Sequence, residues 1–343
     1  MLTRARDDGD HVNVESDTRG PRPRSEDDEE TAARRERDLG QAPLLAWQQT
    51  EVSGRTCAFG VGGDGPTVVF LHGWGLSGPA YRAPLKRLLA RGLRVFAPTL
   101  PGFGGTAPLP VATYGLDAYA AWVDAFCAAV GITEPVTLLG HSFGGGVAIQ
   151  TALDHPDRVS GLVLINSIGG SAWRLDSSTA VPISERPLWD WARHAPHDLL
   201  VPRQLRRVLP AVLAAAIPNT IRNPRLLWRV ATIARGCDLT DQLTTLNARR
   251  LPVAVVWSEQ DRLITRASFD ATRTALGNPT ALTTDGTHSW LIADPDTFGE
   301  LITHAIAITT HSQPSRPRRH LLHRLRAPRR NRPARDTPLG RSD

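Results

Sequence analysis

Lysine is almost missing from this chain: Lys86 is the one lysine among 40 Lys and Arg residues. That bias points to a G+C-rich genome and carries no functional message. Cysteine is scarce too. Cys57, Cys127 and Cys237 are odd in number and far apart. They exclude a disulfide framework and a C-x-x-C metal motif, and fit a reducing compartment. The first residues, "MLTRARDDGDHVNVESDTRG", contain no apolar stretch of the kind a secretory signal needs. No run approaches the roughly 18 apolar residues of a membrane span, and "PAVLAAAIP" is far too short. A cytoplasmic protein is the expectation. No internal repeat is present.

What is present is charge, unevenly spread. The net charge of +6 divides into 12 acids against 8 arginines in residues 1–40, and 10 arginines against 2 aspartates in residues 314–343. The high isoelectric point therefore belongs to the tail and says little about the partners of the centre. Residues 1–40 hold too few apolar side chains to bury, and are expected to be disordered. The Arg/Pro-rich tail is expected to be a solvated low-complexity segment with at most a weak contact to anionic membranes. Without interleaved aromatics it cannot stack bases, so no nucleic acid is expected as a partner.

Between the two lies a chain with the rhythm of an α/β protein. "LLAWQQTEVSGRTCAFGVGGDGP" from Leu44 reads as a hairpin with a Gly-rich turn. "TVVFLHG" (67–73), "LRVFAPTL" (93–100), "PVTLLG" (135–140), "SGLVLINS" (160–167) and "LPVAVVWS" (251–258) are continuous apolar runs, the mark of strands buried on both faces. A shorter strand is expected at 280–284. Helical stretches near 80–91, 114–130, 143–155, 265–277 and 296–309 separate them, which predicts a mostly parallel sheet covered on both sides. Residues 170–247 break the rhythm, with four tryptophans, several prolines, amphipathic helical pieces and no convincing strand. They read as an inserted helical cap within a domain spanning 41–313.

In open α/β sheets, function gathers at the carboxyl ends of strands. Four stretches fall there: His72-Gly73-Trp74-Gly75, Ser142 in "LLGHSFGGGVAIQ", Asp261 after "VAVVWSEQ", and His288 in "DGTHSW". The order Ser, Asp, His, with "LPGFGGT" (100–106) and "GTHSWLIADPDTF" (286–298), resembles the α/β-hydrolase fold superfamily of the cap-bearing serine-hydrolase kind, over roughly residues 44–311. A serine hydroxyl needs a base to take its proton as it attacks, and His288 is the candidate. Asp261 would fix one tautomer of His288 and stabilise its imidazolium. The backbone N–H groups of Phe143 and Trp74 would form the oxyanion hole, with the Trp74 side chain walling the pocket. His141 and His72 are expected as structural supports.

The acid has rivals in Glu259, Asp238 and Asp241. The resemblance is also imperfect there, since the family usually has a Gly before this loop and a Pro soon after the acid, where Ser258 and Thr265 stand, and commonly Asp where Thr99 stands. The reading is a cofactor-free, metal-independent serine hydrolase. It cleaves a carboxylic ester or related acyl bond of a small hydrophobic molecule through an acyl-enzyme. Alternatives are a C–C hydrolase, a haloperoxidase-like protein or an acyltransferase on the same serine, and a ligand-binding receptor or pseudoenzyme on a hydrolase scaffold. The oligomeric state is open.

Overall fold

A computed structural model describes residues 12–13, 44–110, 114–176, 179–187, 189–190, 193–194 and 206–311. All of these lie in one compact unit, Met1–Ser312. The basic tail 314–343 and most of the charged segment 1–40, with the expectations attached to them, lie outside the described residues.

A short edge strand opens the described chain at Val12–Asn13 (β1). β2 (Ala46–Val52) and β3 (Arg55–Gly62) then form the expected hairpin. Its two-residue turn has Ser53 at φ 51° and Gly54 at φ 71°. This double left-handed geometry matches the twist of the flanking strands. The other strands of the sheet are β4 (Thr67–Leu71), β5 (Arg94–Pro98), β6 (Val136–His141), β7 (Val159–Ile165), β10 (Val253–Ser258) and β11 (Ala281–Thr284). The sheet order is β1-β11-β10-β7-β6-β4-β5-β3-β2, parallel except where β3 meets β5 and β2. Val12–Asn13 pairs with Leu282 and Thr283 of β11, so two residues of a segment expected to be disordered extend the sheet.

The apolar runs separate into two cores by the two-residue period of a strand. Leu138, Leu162, Leu164 and Val255 point to one face, where they meet α2 (Leu116–Ala129), α3 (Phe143–Asp154), α6 (Thr240–Ala248) and α7 (Arg266–Ala275). Leu139, Val163, Ile165, Ala254 and Val256 point to the other, toward α1 (Arg82–Leu89), α8 (Trp290–Ala293) and α9 (Pro295–His311). A strand apolar on every residue is thus a strand between two helical layers.

The interruption after β7 leaves the sheet at Gly169 and returns at Asp238. There the two residues form a parallel bridge, and Leu239 N–H donates to Gly169 C=O at 3.0 Å. The helices α4 (Val208–Arg222) and α5 (Pro224–Arg235) lie between. The expectation of no strand here is overturned: β8 (Ala172–Asp176) and β9 (Thr179–Pro182) form an antiparallel ribbon. "AWRLD" and "TAVP" are too short and too mixed in polarity to show an alternating face, which is why the ribbon was not visible in the sequence. At the far end of the stretch expected as a cap, α6 packs on α3 and α7 beside the sheet.

Candidate active site

β6 ends in His141, and α3 begins at Phe143. Ser142, alone between them, has φ 54° and ψ −118°, a left-handed backbone that a non-glycine residue adopts only under constraint. The constraints are visible. Ser142 N–H donates to Ile165 C=O at 3.0 Å, and Ser142 C=O accepts from Gly145 N–H at 3.0 Å and Ile168 N–H at 3.2 Å. A Cβ at Gly144 would lie 2.2 Å from the Leu71 carbonyl oxygen, and one at Gly140 would lie 2.5 Å from Gly145 Cα. Only glycine lets β4, β6 and α3 approach this closely, which is the physical content of the G-x-S-x-G spacing.

His288, in the loop after β11, donates from Nδ1 to Asp261 Oδ2 at 2.8 Å, and both residues are buried. The neutral ring then carries its lone pair on Nε2, as a general base requires. Asp261 is held in turn. Its Oδ1 accepts from the N–H groups of Leu263 (2.7 Å) and Ile264 (2.9 Å), and its Oδ2 accepts from Asn166 Nδ2 at 2.5 Å. Of the four acids weighed from sequence, Asp261 is the one the structure pairs with His288. Asp238 instead caps the start of α6, accepting from Thr240 N–H and Oγ1–H, and Asp241 lies in the first turn of that helix. Glu259 lines an open cleft of about 420 Å³ on the other side of the acid, shared with Trp173, Arg186, Trp257 and Asp261. Neither Ser142 nor His288 lines that cleft.

His141 and His72 have both ring nitrogens occupied by fixed partners. His141 Nε2 lies 3.1 Å from the His288 carbonyl, which can only accept, so Nε2 carries the proton. Tyr81 O–H therefore donates to His141 Nδ1 at 2.9 Å, and the Tyr81 oxygen accepts from Gly73 N–H at 3.2 Å. This chain ties the loop after β4 to the backbone of His288 through the residue beside Ser142. The His141 and His288 rings lie 4.8 Å apart. Burial, followed by the neighbouring His288, holds His141 well below the usual histidine range. His72 donates from Nδ1 to Gly73 C=O (2.8 Å) and accepts at Nε2 from Leu100 N–H (2.9 Å). Burial lowers its pKa to about 4.

Phe143 is the first residue of α3, where helical N–H groups have no intrahelical acceptor. Trp74 stands in the loop after β4. Its side chain is 45% exposed, and its Nε1–H donates to Leu227 C=O of α5 at 2.9 Å, so it joins that loop to the inserted segment. Asn219 of α4 makes a second such link, donating to Gly75 C=O at 3.1 Å and accepting from Gly104 N–H at 2.9 Å.

Two of the departures from the resemblance have structural work. Thr99 Oγ1 accepts from Gly78 N–H at 3.2 Å, and Ser258 Oγ accepts from Asn166 Nδ2 at 2.7 Å while donating to Thr287 C=O at 2.9 Å. Sequence reasoning missed Asn166, Tyr81 and Arg186. Asn166 follows the strand "LVLI" at φ 43°, a position that favours Asn among non-glycine residues, and that signal was readable. Its Oδ1 accepts from Trp290 Nε1–H at 2.9 Å.

Comparison with known proteins agrees with this architecture. The profile of the family described as alpha/beta hydrolase fold matches residues 66–193. A pimeloyl-(acyl-carrier protein) methyl ester esterase of Aeromonas hydrophila is 30% identical over 267 residues, covering 71% of this chain and 96% of that protein. A non-heme haloperoxidase, so named putatively, of Mycobacterium phage D29 is 26% identical, covering 71% of this chain and 88% of that one. Among solved structures, a meta-cleavage product hydrolase of Pseudomonas fluorescens superposes with a TM-score of 0.60 at 20% identity, covering 77% of this chain and 98% of its own. With a relative at this identity matched along nearly its whole length, the chain belongs to the alpha/beta hydrolase fold family and is a hydrolase.

Proposed function

We propose that this hydrolase is a serine esterase that cleaves a carboxylic ester of a hydrophobic small molecule through an acyl-enzyme on Ser142, His288 and Asp261. The observation that carries the reading is the strained turn at Ser142 beside a histidine whose Nδ1–H is engaged by a carboxylate at 2.8 Å. His288 Nε2 takes the hydroxyl proton as Ser142 Oγ bonds to the ester carbonyl carbon. The oxygen of that carbonyl becomes an oxyanion, for which the N–H groups of Phe143 and Trp74 are the donors, aided by the positive end of α3. The imidazolium then protonates the leaving alkoxide as its bond to carbon breaks, giving an alcohol and an acylated Ser142. Water, deprotonated by the same His288, releases the acid and restores the serine.

The esterase relative supports an ester as the substrate class. The segment between Gly169 and Asp238 is the cap in this reading, and the apolar side chains on its inner side set a preference for hydrophobic acyl groups. The test is a panel of p-nitrophenyl esters of graded acyl length, run beside a fluorophosphonate label read by mass spectrometry. Many turnovers per site and a label on Ser142 are expected. A single acyl transfer per site, or a label elsewhere, would sink the proposal.

A further inference from the structure

Seven large apolar side chains are exposed among the described residues: Leu44, Trp74, Trp189, Leu213, Ile217, Ile221 and Trp228. Five of these lie on the inserted segment, and Trp74 is hydrogen-bonded to it. Exposure so concentrated marks an interaction surface rather than scatter. On α4 it is ordered. Leu213, Ile217 and Ile221 recur every fourth residue and are 45%, 50% and 77% exposed, so they form one stripe along the helix. The opposite face of the same helix is seated, with Val208, Ala215 and Asn219 buried.

The charge around the stripe is of one sign. From Arg206 to Arg235 the chain holds six arginines (206, 207, 222, 225, 229 and 235) and no aspartate or glutamate. Arg206 and Arg207 precede α4, and Arg222 and Arg225 follow the stripe, all four exposed. Arg207 hydrogen-bonds to Ala293 C=O at 3.0 Å, and Arg229 lies over the Tyr114 ring. An apolar stripe bracketed by arginines, with tryptophan nearby on α5, is the composition of a helix that lies in a membrane interface. A second copy of this chain fits poorly, because two-fold pairing would bring the four flanking arginines against four. An anionic lipid surface meets both features at once.

We infer that the outer face of α4, with Leu213, Ile217 and Ile221 inserted at the headgroup–acyl boundary and the flanking arginines on lipid phosphates, docks this protein on an anionic bilayer. Asn219, on the inner face of α4, holds the loops at Gly75 and Gly104. The docked surface would therefore lie about one helix diameter, ~10 Å, from those loops. Docking is independent of the esterase proposal, since it concerns exposed residues that take no part in the chemistry.

The test is sedimentation of the full chain with vesicles of phosphatidylcholine alone or mixed with phosphatidylglycerol, comparing wild type with Ile217→Glu/Ile221→Glu. Binding to the mixed vesicles only is expected, with partitioning reduced at least about tenfold in the double variant. Because residues 314–343 are the same in both proteins, the difference isolates α4. Circular dichroism and the melting temperature, both unchanged, show that the variant folds; Leu213→Gln serves as a milder second variant. Equal partitioning of variants and wild type would overturn the inference. So would a wild-type dimer that the double variant makes monomeric without any vesicle binding.

Discussion

Arg186, in the inserted segment, reaches Asp261 through two peptide units laid side by side. Its guanidinium donates from Nη2 to Arg262 C=O at 2.8 Å and from Nη1 to Leu263 C=O, while the next N–H groups, of Leu263 and Ile264, donate to Asp261 Oδ1. Each peptide dipole thus points its negative end at the cation and its positive end at the carboxylate. Asp190 balances the arginine, accepting from Nε at 2.8 Å. The insertion thereby fixes the loop that carries the acid.

Replacing Arg186 by Met should therefore loosen Asp261 and the tautomer it imposes, lowering kcat by on the order of 10²-fold with KM changed less. Arg186→Lys should not restore the activity, because an ammonium cannot serve two carbonyls and Asp190 in one plane. A folded Arg186→Met enzyme whose kcat stays within about twofold of wild type would show that the clamp is structural only.

At Ser142, truncation to Ala should remove fluorophosphonate labelling and lower kcat by roughly 10⁶. The strained φ of 54° is incidental to the side chain, so the variant should melt at or slightly above the wild-type temperature. Residual labelling at a second serine is the outcome that would count against the assignment.

The tight turn at Ser142 and the sheet were legible in the sequence because each rests on a local signal. Glycine was required where backbones touch, and strands buried on both faces read as apolar runs. The ribbon β8–β9 was not legible because its strands are too short and too mixed in polarity to show an alternating face. The role of Arg186 was not legible because it depends on contacts across more than 70 residues, the bonds to Arg262 and Leu263, and a lone arginine before a proline carries no mark of such a partner. Ser258 is the instructive middle case. Its departure from the family pattern was visible, but that its hydroxyl links Asn166 to the Thr287 carbonyl required the fold.

The acid assignment divides four candidates by one measurement. Asp261→Asn should keep the fold but offer His288 an amide, favouring the wrong tautomer and lowering kcat roughly 10⁴-fold. Asp238→Asn and Asp241→Asn should remain within about tenfold of wild type, since they sit at the start of α6 and capping changes cost stability rather than chemistry. Glu259→Gln should behave likewise. Near-full activity in Asp261→Asn alongside collapse of another would reassign the acid.

His72 makes the folded state sensitive to acid. Its pKa is lowered to about 4 by burial, whereas the unfolded chain has the ordinary value near 6.5. Between these limits the unfolded state binds the extra proton, so stability rises with pH across the window. The contribution is fully present above the unfolded pKa and lost as pH falls toward about 4. Moving from about pH 7.5 to about pH 5 should remove roughly 2 kcal/mol through this residue alone. His141, shifted the same way, adds to the loss. His72→Gln breaks the bond from Leu100 N–H and should be less stable at neutral pH. Having no imidazole to protonate there, it should also lose stability less steeply on acidification. Urea unfolding of both proteins at the two pH values measures the difference of slopes. Parallel slopes would mean that protonation of His72 does not govern acid unfolding.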